Sequence, residues 1–230
     1  MTIKHHFFGK DCIIDRELLE RTNLDLRLKE IGIFSHQNLF LNQVHGRDVI
    51  VIDSEEKLYG NQGLPKADAI VTNLKNVVAC VITADCAPVL LFDAEKKIIA
   101  AAHAGWRGAK LGIISSTIAE MKKLGAAKIS AIIGPMIQQE SYEVSQEFFD
   151  DFLLEDIANE KFFIKGVGQG KYMFDLPSYV EKKLSTEGVI WIGNQKIDTY
   201  KNEKDFFSFR RSAHRGEKDC GRNVSLIVNA

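Results

Sequence analysis

The sequence lacks long hydrophobic runs, paired cysteines and an excess of charge of either sign. Its apolar stretches, such as Val77–Thr83 and Ile98–Ala102, are far shorter than the roughly 20 residues of a membrane-spanning helix. The first residues carry no apolar stretch of the signal-peptide kind, so we expect cytoplasmic localisation and no membrane partner. A formal net charge of −1 provides no general attraction to nucleic acid, which we therefore do not expect as a partner.

Cysteine and histidine are scarce, and this scarcity excludes several kinds of metal protein. The four cysteines are widely spaced and form no Cys-x-x-Cys pair, so neither a disulfide framework nor a closed zinc module is predicted. Only six histidines are present, and none are arranged as His-x-His. So few histidines are insufficient for the full copper set of a laccase within one chain.

The 230-residue chain shows neither internal repeats nor a flexible linker, so we predict a single catalytic domain over residues 1–230. Strand-like and helix-like segments alternate along it. The predicted strands are Val49–Asp53, Ala69–Thr72, Val77–Thr83, Val89–Phe92, Ile98–Ala102, Ile129–Ile133, Val189–Ile192, Phe206–Phe209 and Ser225–Val228. The predicted helices run through Leu111 and Met121 to Gly125, over Ser145–Leu154, and from Pro177 to about Leu184. The pattern predicts an α/β fold, specifically a three-layer α/β/α sandwich with a mixed β-sheet.

Three short segments each place a metal-ligand residue beside a turn. They are NQVHG with His45, TADCAP with Cys86, and AHAGWRG with His103. Catalytic zinc sites typically use three protein ligands and leave a fourth position open for water or substrate. If these residues meet in space, they form a catalytic rather than a structural metal site.

Hairpin spacing gives Cys86 and His103 a reason to meet. A turn centred on Ala94-Glu95 pairs Phe92 with Lys97 and Cys86 with His103, on one face of the sheet. A slip of one residue would move the two side chains to opposite faces. An ordinary buried cysteine with an incidental histidine is an equally weighted alternative for this pair.

Three arginines are candidate ligands for phosphate. Arg107 lies in a glycine-rich turn that leads into a helix, where free backbone N–H groups and a guanidinium favour an anion. Arg210 and Arg211 follow an aromatic segment and, with Arg222, form a second cationic cluster. A solvated basic edge remains an equal alternative for that second cluster.

Seven motifs, in order, resemble those of one family: NQVHG, DAIVT, TADCAPVLL, AAHAGWRGA, IGPMIQQESYEV, FDLP and FFSFRR. The chain is similar to the YfiH/YlmD-type laccase-domain proteins, also called multicopper polyphenol oxidases, whose human relative is called FAMIN. The sequence departs from the family pattern at Asp198, where a cysteine is customary, at Cys220, and in its N-terminal segment Phe7–Cys12.

The resemblance implies a zinc-dependent enzyme of purine nucleoside metabolism. Its expected reactions are the phosphorolysis of adenosine, inosine, guanosine and methylthioadenosine, and the deamination of adenosine. The family's zinc ligands and catalytic residues fall on His45, Cys86 and His103, and the expected partners are purine nucleosides and phosphate, with no protein partner evident. Asp68 and Glu143 are weaker candidates for protonating the departing purine.

Three alternatives compete with the nucleoside enzyme. A copper-dependent polyphenol oxidase follows from the family's older name, but the histidine count makes zinc the preferred metal. A metal-free cysteine hydrolase would use Cys86 as nucleophile and His103 as base, leaving His45 without a role. A non-enzymatic nucleoside-binding role would be favoured if the purified protein turned over no nucleoside in the presence of phosphate.

Overall fold

The structure, a computed structural model, describes residues 2–12, 23–35, 37–59, 63–218 and 220–230. Its strands are β1 (Ile3–Phe8), β2 (Gln37–Leu39), β3 (Val49–Ile52), β4 (Ala69–Thr72), β5 (Val77–Thr83), β6 (Ala87–Asp93), β7 (Ile98–Ala104), β8 (Ser130–Ile133), β9 (Glu143–Ser145), β10 (Phe163–Lys165), β11 (Lys171–Phe174), β12 (Trp191–Asn194) and β13 (Asn223–Asn229). Its α-helices are α1 (Leu24–Glu30), α2 (Trp106–Leu111), α3 (Ile113–Lys123), α4 (Gln146–Glu155), α5 (Leu176–Thr186) and α6 (Phe209–His214).

Two mixed sheets form the centre of the fold. One has the strand order β1-β13-β5-β2, and the other has the order β12-β8-β6-β7-β4-β3. Both contain parallel and antiparallel pairs, for example β2 parallel to β5 and β6 antiparallel to β7. The expected α/β sandwich with mixed sheet pairing is confirmed, and its strands are divided among three sheets, of which these two are the larger.

Side chains alternate between the two faces of each sheet, and this alternation builds three apolar clusters. Along β7, Ala100 and Ala102 belong to the cluster that α3 and α5 cover, while Ile99 and Ala101 face the other sheet. On β5, Val81 packs between the sheets. The outer face of the four-stranded sheet is covered by α1. His103, two residues after Ala101, therefore lies on the face of β7 that is directed toward the other sheet.

The hairpin of β6 and β7 has a different register from the predicted one. Phe92 pairs with Ile99 and Pro88 with His103, so the register is shifted by two residues. The predicted Cys86–His103 pairing was wrong because the turn spans four residues, 94–97, instead of two. The side chain of Asp93 stabilises this longer turn by accepting hydrogen bonds from the backbone N–H groups of Glu95 and Lys96. A shift of two residues preserves the sheet face, so Cys86 and His103 still lie on the same side.

Two other segments differ from prediction. The segment Phe206–Phe209 is not a strand: Phe209 begins α6, and the Ser208 hydroxyl caps this helix by accepting a hydrogen bond from the Arg211 backbone N–H at 3.2 Å. The helix predicted through Leu111 and Met121 is divided into α2 and α3, because Gly112 adopts a left-handed conformation with φ of 96°. The remaining predicted strands and helices are present within a few residues of their expected ends.

A third, small sheet of order β10-β11-β9 packs with α4 and α5 beside the larger sheet. Aromatic rings fill this region; Phe149 stacks on Tyr172 with 4.1 Å between ring centroids. Within the parts of the chain that the structure describes, no helix has the length and apolar character needed to cross a membrane.

Candidate metal and substrate site

His45, Cys86 and His103 meet at one end of the two sheets. Their ligand atoms all lie within 4.8 Å of one another, and the Nε2 atom of His45 is 3.8 Å from the Sγ atom of Cys86. Among the described residues this is the only group of three histidine, cysteine or acidic side chains with metal-binding spacing. The three segments singled out by their ligand types are thus brought together in space.

A tight loop places His45. Its backbone adopts a left-handed conformation with φ of 58°, which is uncommon for residues other than glycine. Two hydrogen bonds of 2.8 Å between the Gln43 side-chain amide and the backbone of Ile82 fasten the loop to the end of β5. On the other side, the backbone N–H groups of His45 and Gly46 donate to the Asp68 carboxylate at 2.9 and 2.6 Å.

The same carboxylate orients His103. Asp68 is fully buried, and its Oδ1 atom lies 2.8 Å from the Nδ1 atom of His103. This contact assigns the Nδ1 proton to the Asp68 side and leaves Nε2 to face Cys86 and His45. Carboxylates commonly orient metal-binding histidines in this way. One buried aspartate therefore positions two of the three candidate ligands.

Charge interactions favour the ionised forms of these groups. Burial disfavours the thiolate of Cys86, but His103 and His45 outweigh that effect and lower the pKa of the thiol. Burial would also raise the pKa of Asp68, yet hydrogen bonds from His103 and from backbone N–H groups lower it overall. A thiolate is the form of cysteine that binds metals. An ionised and buried Asp68 is suited to positioning and not to donating a proton to a purine.

Gly105 allows the thiol and the imidazole to approach each other. It follows β7, and a Cβ atom added to it would lie 2.8 Å from Cys86 Sγ and 3.1 Å from His45 Cδ2. At these distances the added methyl group would push the side chains of Cys86 and His45 away from their positions. Such overpacking typically costs about 1–3 kcal/mol. The glycine at this position is therefore required by the site and not by the backbone, whose φ is −67°.

We expect Gly105→Ala to weaken the binding of a divalent metal ion at the candidate site by roughly 5- to 150-fold, because the added methyl group displaces two of the candidate ligands. Titration with zinc in competition with a chromogenic chelator measures the affinity. Gly188→Ala is the matched control, since no heavy atom lies within 4 Å of its added Cβ but its φ is +79°. The control should lose stability to urea and keep the metal affinity of the wild type. Equal metal affinities in wild type and Gly105→Ala would show that the methyl group is accommodated.

Asp85 connects Cys86 with the C-terminal part of the chain. Its carboxylate accepts hydrogen bonds from Thr199 Oγ1 at 2.7 Å, Ser208 Oγ at 3.0 Å and the Arg210 backbone N–H at 2.7 Å. Its own φ is 90°, so the backbone just before Cys86 is held in an unusual conformation. These bonds fix the beginning of α6 relative to the thiol.

A cavity of about 700 Å³ opens onto the three ligands. This volume is within the range of small-molecule sites. Apolar side chains of Leu41, Leu64, Ile82 and Phe209 contribute to its lining, together with Arg222. A mixed apolar and cationic lining suits a ligand with a planar apolar part and an anionic part.

The three arginines predicted to bind phosphate lie in different surroundings. Arg107 is exposed on α2, and Arg210 is partly buried over the ring of Tyr142, with its guanidinium 5.2 Å from the ring centroid. Arg211 is buried and donates to the carbonyl oxygens of Thr199, Tyr200 and Phe206 at 2.6 to 2.9 Å. None of the three is among the residues lining the cavity, where the arginine is Arg222.

Several residues of the site were not identified from sequence in the roles described above. The sequence suggests Asp68 as a weak candidate acid, with a surface or capping role as the alternative, whereas the structure buries it and places it against His103. Gly105 and Phe209 have no recognisable sequence signal, because their importance depends on distances between separate segments. Glu143, the other candidate acid, is not among the residues that line the cavity, and its side chain forms a surface ion pair with Lys171 at 3.7 Å.

The sequence is similar to those of several known proteins. A family model described as multi-copper polyphenol oxidoreductase laccase matches residues 14–230. Purine nucleoside phosphorylase RC0672 of Rickettsia conorii is 45% identical over 190 residues, which cover 83% of this chain and 77% of that protein. Purine nucleoside phosphorylase YfiH of Escherichia coli is 33% identical over 201 residues, covering 87% and 77% of the two chains.

A solved structure shares the fold. The crystal structure of Neisseria meningitidis protein NMB0706 has a TM-score of 0.76 and 34% sequence identity, and the match covers 93% of this chain and 82% of that one. The family model spans almost the whole sequence, including all three candidate metal ligands. The chain therefore belongs to the laccase-domain family that includes the YfiH proteins.

Proposed function

We propose that this protein is a zinc-dependent purine nucleoside phosphorylase that also deaminates adenosine. The observation that carries the proposal is the meeting of His45, Cys86 and His103 at the base of a cavity large enough for a nucleoside. The names of the relatives from Rickettsia conorii and Escherichia coli support the choice of purine nucleosides and phosphate as substrates.

The donor set fits zinc. Two imidazole nitrogens and one thiolate are ligands that zinc prefers, and tetrahedral zinc sites place such donors about 3.5 Å apart. The distance of 3.8 Å between His45 Nε2 and Cys86 Sγ is close to this value. A copper oxidase would need additional histidine clusters, and the whole sequence has only six histidines. His45, Cys86 and His103 would hold the zinc ion, which would supply Lewis-acid chemistry to a ligand in the cavity.

The chain's own residues would bind and orient the substrates. In phosphorolysis, the bond between the ribose C1′ and the purine nitrogen breaks, a phosphate oxygen bonds to C1′, and the departing base takes up a proton. Leu41, Leu64 and Ile82 would limit water around the nucleoside, and Asp68 would keep the ligands in place. Arg222 lines the cavity and would offset the charge of phosphate. Arg107, Arg210 and Arg211, the arginines predicted from the sequence for this role, lie outside the cavity lining.

We expect zinc-loaded protein to release free adenine from adenosine only when inorganic phosphate is present, with ribose 1-phosphate as the second product. Chromatographic separation of the products, with and without phosphate, measures this. Inosine formed from adenosine without phosphate would report the deaminase activity. Failure to form any free base from adenosine, inosine, guanosine or methylthioadenosine with phosphate would refute phosphorolysis.

A metal-free cysteine hydrolase is a second candidate, because Asp68, His103 and Cys86 also have the order of an acid–base–nucleophile triad. The 2.8 Å contact between Asp68 and His103 favours it, as does the lowered pKa of Cys86. It leaves His45 without a role despite its position 3.8 Å from the thiol. Chelation separates the two candidates: the hydrolase would keep full activity in a strong chelator, and the zinc enzyme would lose it.

A further inference from the structure

Phe209 is an exposed aromatic side chain on the wall of the cavity. It is 62% exposed, yet it lines the same cavity as His45, Cys86 and His103. An aromatic ring that is exposed to water leaves a large apolar surface available for contact with a ligand. A ring exposed on the wall of the cavity that contains the three candidate metal ligands therefore offers an apolar face to a ligand that enters it.

The backbone on both sides of this ring is firmly held. Phe209 lies between Ser208 and Arg210, and the Asp85 carboxylate accepts from the Ser208 hydroxyl at 3.0 Å and from the Arg210 N–H at 2.7 Å. The buried guanidinium of Arg211 donates to the carbonyl oxygen of Phe206 at 2.6 Å. The polar neighbours of Phe209 are thus engaged in the protein, whereas the Phe209 side chain itself is largely exposed on the wall of the cavity.

The position of the ring is tied to that of the thiol. Asp85, which holds the start of α6, directly precedes Cys86 in the chain. No segment of flexible chain intervenes between the candidate metal ligand and the carboxylate that fixes Phe209. The distance between the candidate metal ligand Cys86 and the Phe209 ring is thus fixed before a substrate binds. A substrate that contacts both would be oriented by them.

We propose that Phe209 is the base-binding platform of the site and stacks on the purine ring of the nucleoside, while Asp85 is the residue that positions it. The inference rests on the proposed nucleoside function and adds to it the residue that binds the base. Stacking suits a purine because its face is apolar and planar, and aromatic rings bind bases without regard to their exocyclic groups. One site of this kind would accept adenosine, inosine, guanosine and methylthioadenosine alike.

The test compares Phe209→Ala, Phe209→Trp and a matched control, Phe34→Ala, all as zinc-loaded full-length protein. Phe34 is 72% exposed and is not part of the cavity lining. From the usual strength of base stacking, we expect Phe209→Ala to weaken adenosine binding by about 5- to 150-fold in calorimetry. Its KM should rise by a similar factor, and its zinc content should not change. Phe34→Ala should behave as wild type.

Two further measurements distinguish stacking from a general disturbance of the cavity. Phe209→Trp should bind adenosine with about the affinity of the wild type, unlike Phe209→Ala. The introduced indole adds fluorescence that the wild type lacks, and adenosine should quench it. Binding of ribose 1-phosphate, which has no base, should be the same in wild type and Phe209→Ala. Unchanged affinity for adenosine in Phe209→Ala, or an equal loss of affinity for ribose 1-phosphate, would overturn the proposal.

The outcome for Phe209 is separable from that for catalysis. Binding of adenosine that depends on Phe209, without release of free base in phosphate, would refute phosphorolysis and uphold the platform. Turnover in phosphate with equal KM and affinity in wild type and Phe209→Ala would uphold phosphorolysis and refute the platform.

Discussion

Cys86→Ala is expected to abolish stoichiometric zinc binding and to reduce nucleoside turnover by about a thousandfold or more, a loss typical of residues that act as a unit in catalysis. Cys86 is the only sulfur ligand of the trio, and the two histidines that remain lower its pKa in the native site. Removing the thiolate leaves two neutral donors, which bind zinc weakly. Metal analysis of the purified variant, together with product formation from adenosine and phosphate, tests this expectation.

Cys80→Ala provides the matched control for that experiment. Cys80 is a buried cysteine of β5 that packs in the cluster beneath α1 and does not line the cavity. Its replacement should lower the free energy of unfolding by about 1–2 kcal/mol through lost packing, with zinc content unchanged. Full zinc content and turnover in Cys86→Ala would rule out the proposed metal site. Activity that vanishes in Cys86→Ala but survives in chelator would instead favour the cysteine hydrolase.

Asp68→Asn is expected to have the second largest effect. The carboxylate accepts hydrogen bonds from His103 Nδ1 and from the backbone N–H groups of Val44, His45 and Gly46. An asparagine of the same size presents an NH₂ group to some of these donors, at a cost of about 1–3 kcal/mol for each group left without a partner. We expect zinc affinity to fall by about 10- to 100-fold, as it does when a group that orients a metal ligand is lost. Chelator competition and urea unfolding measure the two effects.

Asp93→Asn separates loss of stability from loss of the site. Asp93 is also buried, and like Asp68 it accepts four hydrogen bonds, in this case all from backbone N–H groups, those of Glu95, Lys96, Ala127 and Lys128. It lies at the far end of the β6–β7 hairpin, so its replacement should destabilise the protein to a similar extent and leave zinc affinity unchanged. The same zinc affinity in Asp68→Asn as in wild type would show that His103 is oriented by other contacts.

Ligand chemistry and strand patterns were readable in the sequence, whereas exact register was not. Val77–Thr83 and Ala69–Thr72 were predicted with their observed ends, because buried strands appear as uninterrupted apolar runs. The β6–β7 register was wrong by two residues, since a four-residue turn stabilised by the Asp93 side chain replaced the simplest two-residue turn. The shared face survived because side-chain direction repeats every two residues.

The segment around Phe209 shows where local pattern fails. Its aromatic residues favoured a strand, but Ser208 and the distant Asp85 supply the hydrogen bonds that begin a helix. Asp85 is separated from Arg210 by 125 positions in sequence, so no local window contains both partners. The same reason concealed Gly105, whose role depends on where His45 and Cys86 lie in space.

The hydrogen bonds of Asp85 join residues of the site that are synthesised early to residues that are synthesised late. Every candidate metal ligand and the orienting Asp68 lie between residues 45 and 103, so they leave the ribosome early. Thr199, Ser208 and Arg210, the partners of Asp85, emerge about a hundred residues later. A nascent chain thus carries all three candidate metal ligands well before the residues of α6 that contribute Phe209 to the cavity wall. Because Asp85 directly precedes Cys86, the backbone beside the thiol reaches its final hydrogen bonding only after these late residues have been synthesised.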